Sequence, residues 1–233
     1  MVLAGDMNKA RIGLVSALAV LAIGVLAAGW SYLGKDAAAE SHRYARQIIL
    51  YYTLSRAEQP IIVVGDSLTE ASTLPRTLCG HAVVNAGLNG ASTASDLGTW
   101  LTAALDGRRA AAILVALGTN DALLKHSMRD FETSYVALLT QLAKATDHLA
   151  VLGIPSIEVR GRVTPELQSE TMGRIDAFNA LLPALAGKSS AAFVALPPMP
   201  APHTIDGVHL DAAGYAVWDD AVLKGVRGAC STH

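Results

Sequence analysis

A serine hydroxyl attacks a carbonyl only when a base takes its proton, and a histidine does that best when a carboxylate fixes its tautomer. The sequence offers residues of those types in two short strings, Gly65-Asp66-Ser67-Leu68-Thr69 and Asp206-Gly207-Val208-His209-Leu210. Ser67 is the candidate nucleophile, His209 the candidate base and Asp206 the group that orients it. The chemistry would be acyl transfer. Its tetrahedral intermediate needs donors aimed at an oxyanion, each worth roughly 3 kcal/mol. Two further strings, Asn85-Ala86-Gly87-Leu88-Asn89-Gly90 and Gly118-Thr119-Asn120-Asp121, offer such donors. The candidates are the backbone N–H groups of Ser67 and Gly87 and the side-chain amide of Asn120.

Each string also has an ordinary reading. Gly-Asp-Ser is common turn and N-cap composition, and Asp206 and His209 could be a helix cap and a surface imidazole. Asp66 and Asp121 read as residues that hold loops by hydrogen bonds. The remaining histidines read as surface or loop residues, and of these His203 follows the Pro197 to Pro202 segment toward the same rim.

The elements that would position these loops are legible from Pro60 onward. Short apolar runs alternate with stretches of helical period, the sign of βα units around a parallel sheet. Five strands are expected, at Ile61–Val64, Ala82–Val84, Ala112–Leu117, Leu149–Ile154 and Ala192–Leu196. All four polar strings follow strand ends, where the ligand crevice of an open α/β sheet lies. Between the strands, Thr93-Ala94-Ser95-Asp96 resembles a capping box before Leu97, Trp100, Leu101 and Leu105. Ser127 opens a helix with Phe131, Tyr135, Leu138 and Leu142 on its buried face. A third carries Met172, Ile175, Phe178, Leu182 and Leu185, and the last carries Tyr215, Trp218, Val222 and Val226 and stops near Gly228. These aromatic stripes read as core. The segment Pro155 to Glu170 reads as the longest loop, with Arg160 and Arg162 available to an anionic head group or glycan.

Taken together, Gly65-Asp66-Ser67-Leu68, Gly87, Gly118-Thr119-Asn120-Asp121 and Asp206-Gly207-Val208-His209 resemble, in order, four of the sequence blocks of the SGNH/GDSL hydrolases. The resemblance runs from Ile61 to about Gly228. It implies a three-layer α/β/α fold of flavodoxin type and a serine esterase or acyl-transfer activity without metal or other cofactor. It also implies the roles already given to Ser67, Asp206, His209, Gly87 and Asn120. Short-chain or acetyl esters of small molecules, lipids or glycans are the expected substrates, with water as acceptor in hydrolysis and a sugar hydroxyl in transfer.

Composition narrows the alternatives. The 233 residues carry a formal net charge of −2 with scattered Lys and Arg, which speaks against nucleic acid as a partner. There is no Gly-x-Ser-x-Gly elbow and no G-x-G-x-x-G fingerprint, and Leu182 stands where a phosphate loop ending at Gly187-Lys188-Ser189 would need glycine. Cys79 and Cys230 could form one disulfide in an oxidising compartment or be two buried small hydrophobes. Two other function classes stay open. One is Mg²⁺-dependent phosphoryl chemistry on Asp66, Asp121 and Asp206, and the other is an inactive binding domain.

The amino terminus has a different character. Ile12 to Leu33 is free of formal charge and long enough to cross the hydrocarbon layer, with Trp30 and Tyr32 suited to the interface. An uncleaved tail and transmembrane anchor is expected over residues 1–36, with a signal peptide cleaved near Ala37-Ala38-Ala39 as the alternative, then a helical stalk or linker over 37–59 and the hydrolase domain over 60–233. Lys9 and Arg11 on one flank are matched by Lys35, Arg43 and Arg46 on the other, so charge does not decide orientation. The expectation is a single-pass protein of the cytoplasmic membrane with its catalytic domain outside.

Overall fold

The computed structural model describes residues 37–231. The apolar run Ile12 to Leu33 and the expected anchor lie outside them. Among the described residues no helix is long and apolar enough to cross a membrane. The chain divides into two units, one ending at Ala45 and one beginning at Arg46. Of the first, residues 37–45 are described and are helical. The second begins inside the stretch read as stalk: its first helix, α1 (46–55), buries Leu50 and Leu54 in the main core.

Each expected strand forms. They are β1 (Ile61–Gly65), β3 (His81–Gly87), β4 (Ala112–Ala116), β5 (Leu149–Leu152) and β6 (Ala192–Val194). The sheet has a sixth strand, β2 (Thr77–Leu78), and its order is β2-β3-β1-β4-β5-β6. The five-stranded parallel sheet expected from the sequence is therefore corrected to a mixed six-stranded one, because β2 pairs antiparallel with β3. Two residues are too few to leave a periodic signal. The turn between these strands is Cys79-Gly80, with φ of 51° and 81°, and positive φ at both central residues is what a tight hairpin turn of matching twist requires.

The parallel strands look continuously apolar in sequence, yet they keep the two-residue period of a sheet covered on both faces. Ile62, Val64, Ile113, Val115 and Val151 belong to one core, and Ile61, Val63, Leu114, Ala150 and Leu152 to the other. Helices α3 (Leu97–Leu105), α5 (Met128–Leu142) and α6 (Pro165–Lys188) pack with α1 on the first face. There Phe131 and Phe178 stack with centroids 3.9 Å apart. Helix α7 (Ala212–Val226) covers the second face with Trp218, Val222 and Val226. Two short helices, α2 (Ser67–Glu70) and α4 (Thr119–Leu123), start at the carboxyl ends of β1 and β4.

Helix boundaries differ from expectation at three places. Helix α6 begins at Pro165, so the preceding loop ends at Thr164 and not at Glu170: the Thr164 hydroxyl caps the Leu167 N–H and proline occupies the first turn. The Thr93–Asp96 capping box does not form. Asp96 stands at the N-cap position without capping a helix N–H through its side chain, while the Thr93 hydroxyl donates to Asp121. Helix α7 ends at Val226 and continues as one 3₁₀ segment, Arg227–Ser231. That segment carries Cys230, which forms a disulfide with Cys79 across a Cα separation of 5.3 Å.

Candidate active site

Strand β1 lies between β3 and β4, so the loops after these three strands meet where the order of connections reverses. Ser67 is the first residue of α2, directly after β1. Asp66 caps that helix, its Oδ1 accepting from the Leu68 N–H at 2.9 Å. Ser67 Oγ lies 3.0 Å from His209 Nε2. His209 Nδ1 lies 2.7 Å from Asp206 Oδ2. The 142-residue gap between Ser67 and His209 is thus closed by the fold.

Asp206 Oδ1 also accepts from the N–H groups of Val208 at 3.0 Å and His209 at 2.8 Å. Burial alone would raise this carboxyl, but the bonds from the His209 ring and the two backbone amides outweigh it and hold the group at about 2. A carboxylate accepts only, so Nδ1 carries the proton and Nε2 is left to receive one from Ser67. The arrangement can deprotonate a hydroxyl and stabilise the resulting imidazolium.

These three residues line a cavity of ≈ 410 Å³ together with Asn120, Asn89, Leu123 and Arg162. Asn120 Nδ2 donates to Ala91 O at 2.8 Å. An amide nitrogen has two hydrogens, so the second can face the cavity. Gly87 behaves differently from the sequence expectation. Its N–H donates to Asn85 Oδ1 at 3.0 Å, its carbonyl accepts from Arg46, and it packs so closely on α2 that a Cβ would strike the Glu70 backbone. Gly87 does not line the cavity, and its role is close approach of α2 to β3. Further along the same string, Asn89 does line it. The Asn89 N–H is committed to Glu70 Oε2 at 2.6 Å, which leaves the next N–H, that of Gly90, without a bond among the described residues.

Beneath the serine, Asp66 is 1 % exposed and its Oδ2 has no hydrogen-bond partner among the described residues. Burial pushes this carboxyl up to about 7, with Asp121 adding to the shift while the Leu68 N–H and His209 oppose it. Asp121 is fully buried and accepts from the Thr93 hydroxyl at 2.6 Å, with His126 Nδ1 at 3.0 Å from the same oxygen. Asp66 and Asp121 therefore hold loops, as their sequence context implies. Among the described residues no group of three or more His, Cys, Asp or Glu side chains is arranged to hold a metal ion.

Several residues that shape the site carry no sequence signal. Arg46 reaches from α1 to the end of β3, donating to Gly87 O at 2.7 Å and Asn85 O at 3.0 Å. Tyr215 donates from α7 to Leu68 O at 2.9 Å, and burial pushes its hydroxyl up to about 12. His203 is buried beside Glu158 and Ser156 and does not line the cavity, and His81 is buried too. The surface-or-loop reading is corrected for His81, which stands in β3, whereas His203 is a loop residue as expected, though a buried one.

The profile of the GDSL-like lipase/acylhydrolase family matches residues 63–217, from within β1 to within α7. The chain belongs to this family. Membership supports hydrolysis of esters as its reaction class. No curated protein sequence is significantly similar to the chain. Among solved structures, a Streptococcus pneumonia protein provisionally named a platelet activating factor superposes with a TM-score of 0.67 at 23 % identity, covering 80 % of this chain and 93 % of that one. A GDSL-like lipase from Bacteroides thetaiotaomicron gives 0.58 at 16 %, covering 73 % and 89 %. A catalytic mutant of an acetylxylan esterase from Geobacillus stearothermophilus gives 0.56 at 16 %, covering 72 % and 94 %. At these identities the likeness is one of fold.

Proposed function

We propose that this GDSL-family chain is a serine esterase that removes short acyl groups, acetyl foremost, through Ser67, His209 and Asp206. The observation that carries the reading is the unbroken chain from Ser67 Oγ through His209 Nε2 at 3.0 Å and Nδ1 to Asp206 at 2.7 Å. His209 takes the hydroxyl proton as Ser67 attacks the ester carbonyl, then returns it to the departing alcohol. Water repeats the sequence on the acyl-enzyme. A sugar hydroxyl in place of water would give transfer by the same chemistry. The developing oxyanion meets the Ser67 N–H, the free Asn120 amide hydrogen and the uncommitted Gly90 N–H. Support for a glycan or small-molecule ester comes from the acetylxylan esterase likeness. Catalytic mutants of that enzyme replace a serine, an aspartate and a histidine.

The domain acts outside the cytoplasm, held by the apolar segment that precedes it. Two features support this reading: the charge-free length of Ile12 to Leu33 and the Cys79–Cys230 bridge, a bond that persists in oxidising compartments.

The test is a panel of p-nitrophenyl esters of graded chain length and acetylated glycans, with Ser67→Ala as control and a serine-directed phosphonate as label. Turnover that falls sharply beyond acetyl, vanishes in Ser67→Ala and is blocked by the phosphonate is expected. Full activity in Ser67→Ala would overturn the assignment.

A further inference from the structure

We propose that Glu158, in the loop between β5 and α6, is a positioning residue that sets the Asp206–His209 pair in register with Ser67; the proposal rests on the serine-esterase reading. The pair hangs from a short hairpin. Asp211 N donates to His203 O at 2.9 Å and Ile205 N to His209 O at 2.8 Å, and Thr204 pairs with Leu210 between them. One side of this hairpin is thereby satisfied. On the other, the buried His203 and Thr204 must place two backbone N–H groups and a hydroxyl.

All three converge on one carboxylate oxygen. Glu158 Oε2 accepts from His203 N at 3.0 Å, Thr204 N at 2.9 Å and Thr204 Oγ1 at 2.6 Å. Its second oxygen lies 3.2 Å from His203 Nδ1. Burial opposes ionisation here, but these bonds outweigh it and keep the carboxyl below its ordinary range. The same loop grips the rest of the hairpin. Glu158 N donates to Gly207 O at 2.8 Å and Arg160 Nη1 to Thr204 O at 2.5 Å. Gly207 has φ +101°, and a Cβ on it would lie 2.7 Å from the carbonyl oxygens of both Glu158 and Arg160. The hairpin is thus held at base and tip by one neighbouring segment.

The consequence is catalytic. Without the carboxylate, two buried N–H groups lose their acceptor and the hairpin must move toward water to find another. His209 moves with it, and a misplacement of about 1 Å costs roughly a hundredfold in rate. Ground-state binding of a small ester changes less, because Ser67, Asn120 and Leu123 are on other elements.

The experiment compares the full chain with Glu158→Ala and Glu158→Gln on p-nitrophenyl acetate, well below each variant's melting temperature, counting active sites with the phosphonate. Glu158→Ala should lower kcat about 30- to 100-fold with KM within threefold, and phosphonate labelling should slow in parallel. Glu158→Gln, which keeps one acceptor oxygen, should recover at least a third of the wild-type rate. A purely structural residue would lower the melting temperature and leave kcat per active site within threefold; that result in a folded Glu158→Ala overturns the proposal. If Glu158→Ala does not fold, the Gln variant decides through its labelling rate: slowing of two- to threefold supports positioning and an unchanged rate refutes it. Turnover persisting in Ser67→Ala would instead locate the error in the serine-esterase reading.

Discussion

Breaking the Cys79–Cys230 bridge should destabilise the domain while leaving its chemistry intact. The bridge closes a loop of 151 residues. In the chain-entropy treatment such a cross-link removes about 17 cal/mol/K from the unfolded ensemble, or about 5 kcal/mol at 25 °C, an upper figure because real unfolded chains retain structure. For a domain of this size 1 kcal/mol shifts the melting temperature by roughly 2–4 °C, so the loss should be about 10–20 °C. The perturbation is either dithiothreitol or the paired change Cys79→Ser and Cys230→Ser, read by circular-dichroism melts. Activity at 25 °C should hold, because the bridge joins the β2–β3 turn to the 3₁₀ segment after α7, whereas the loop toward the cavity leaves β3 at its other end. Equal melting temperatures with and without reductant, in protein taken from an oxidising compartment, would refute the reasoning. Two free thiols in that protein would do so equally.

Other expectations concern the cavity. Asp66 is held at about 7 against an ordinary 3.8, so folding favours its neutral form. The resulting penalty is absent below pH 4, grows as pH rises toward 7 and is constant above. Relative to Asp66→Asn, which keeps the oxygen that caps Leu68, the wild type should lose on the order of 4 kcal/mol between pH 4 and 8 in denaturant titrations. Gly87→Ala should impair folding, since its Cβ meets the Glu70 backbone, whereas Asn120→Ala should fold and lose about a hundredfold in kcat; a soluble, stable Gly87→Ala with reduced kcat would reverse these roles. Among the described residues Arg162 is the one Lys or Arg lining the cavity, and it makes no bond with any of them, whereas Arg160 is committed to Thr204. Arg162→Ala should therefore lower kcat/KM for a negatively charged ester about tenfold at low salt and leave a neutral ester unchanged, and equal effects on both would show that the side chain is only solvated.

Much of the fold was legible because burial on both faces leaves strong marks. The runs at β1, β4 and β5 are apolar at every position, and the helices between them repeat at three and four residues. What escaped was short or set by partners. β2 has two residues and owes its existence to a turn and a neighbour. The start of α6 did carry a signal, Thr164 before Pro165, but a polar stretch with two arginines outweighed it. Thr93 has the composition of a cap and instead bonds Asp121, 28 residues away. A tertiary acceptor and a helix N–H can each require the hydroxyl in a different place, and nothing local reveals which position is taken.

The candidate site divides along the same line. Ser67, Asp206, His209 and Asn120 could be singled out because loops after parallel strands lie on one rim and because the four strings, each weak by itself, together resemble those of the SGNH/GDSL hydrolases. Choosing between the two glycines of Asn85-Ala86-Gly87-Leu88-Asn89-Gly90 needs more than topology. Gly87 stands opposite Gly65 in the β1–β3 register and lies under α2, while the string has turned toward the cavity only by Asn89. Three residues along a turning chain exchange a packing role for a polar one. Glu158 is less accessible still. In sequence it is one acid in a charged loop, and its importance comes from meeting two N–H groups 45 and 46 positions later. Groups that touch the reacting atoms have restricted chemical identity and are recognisable by type. Groups that hold them need only a complementary partner at the right distance, and that distance exists only after folding.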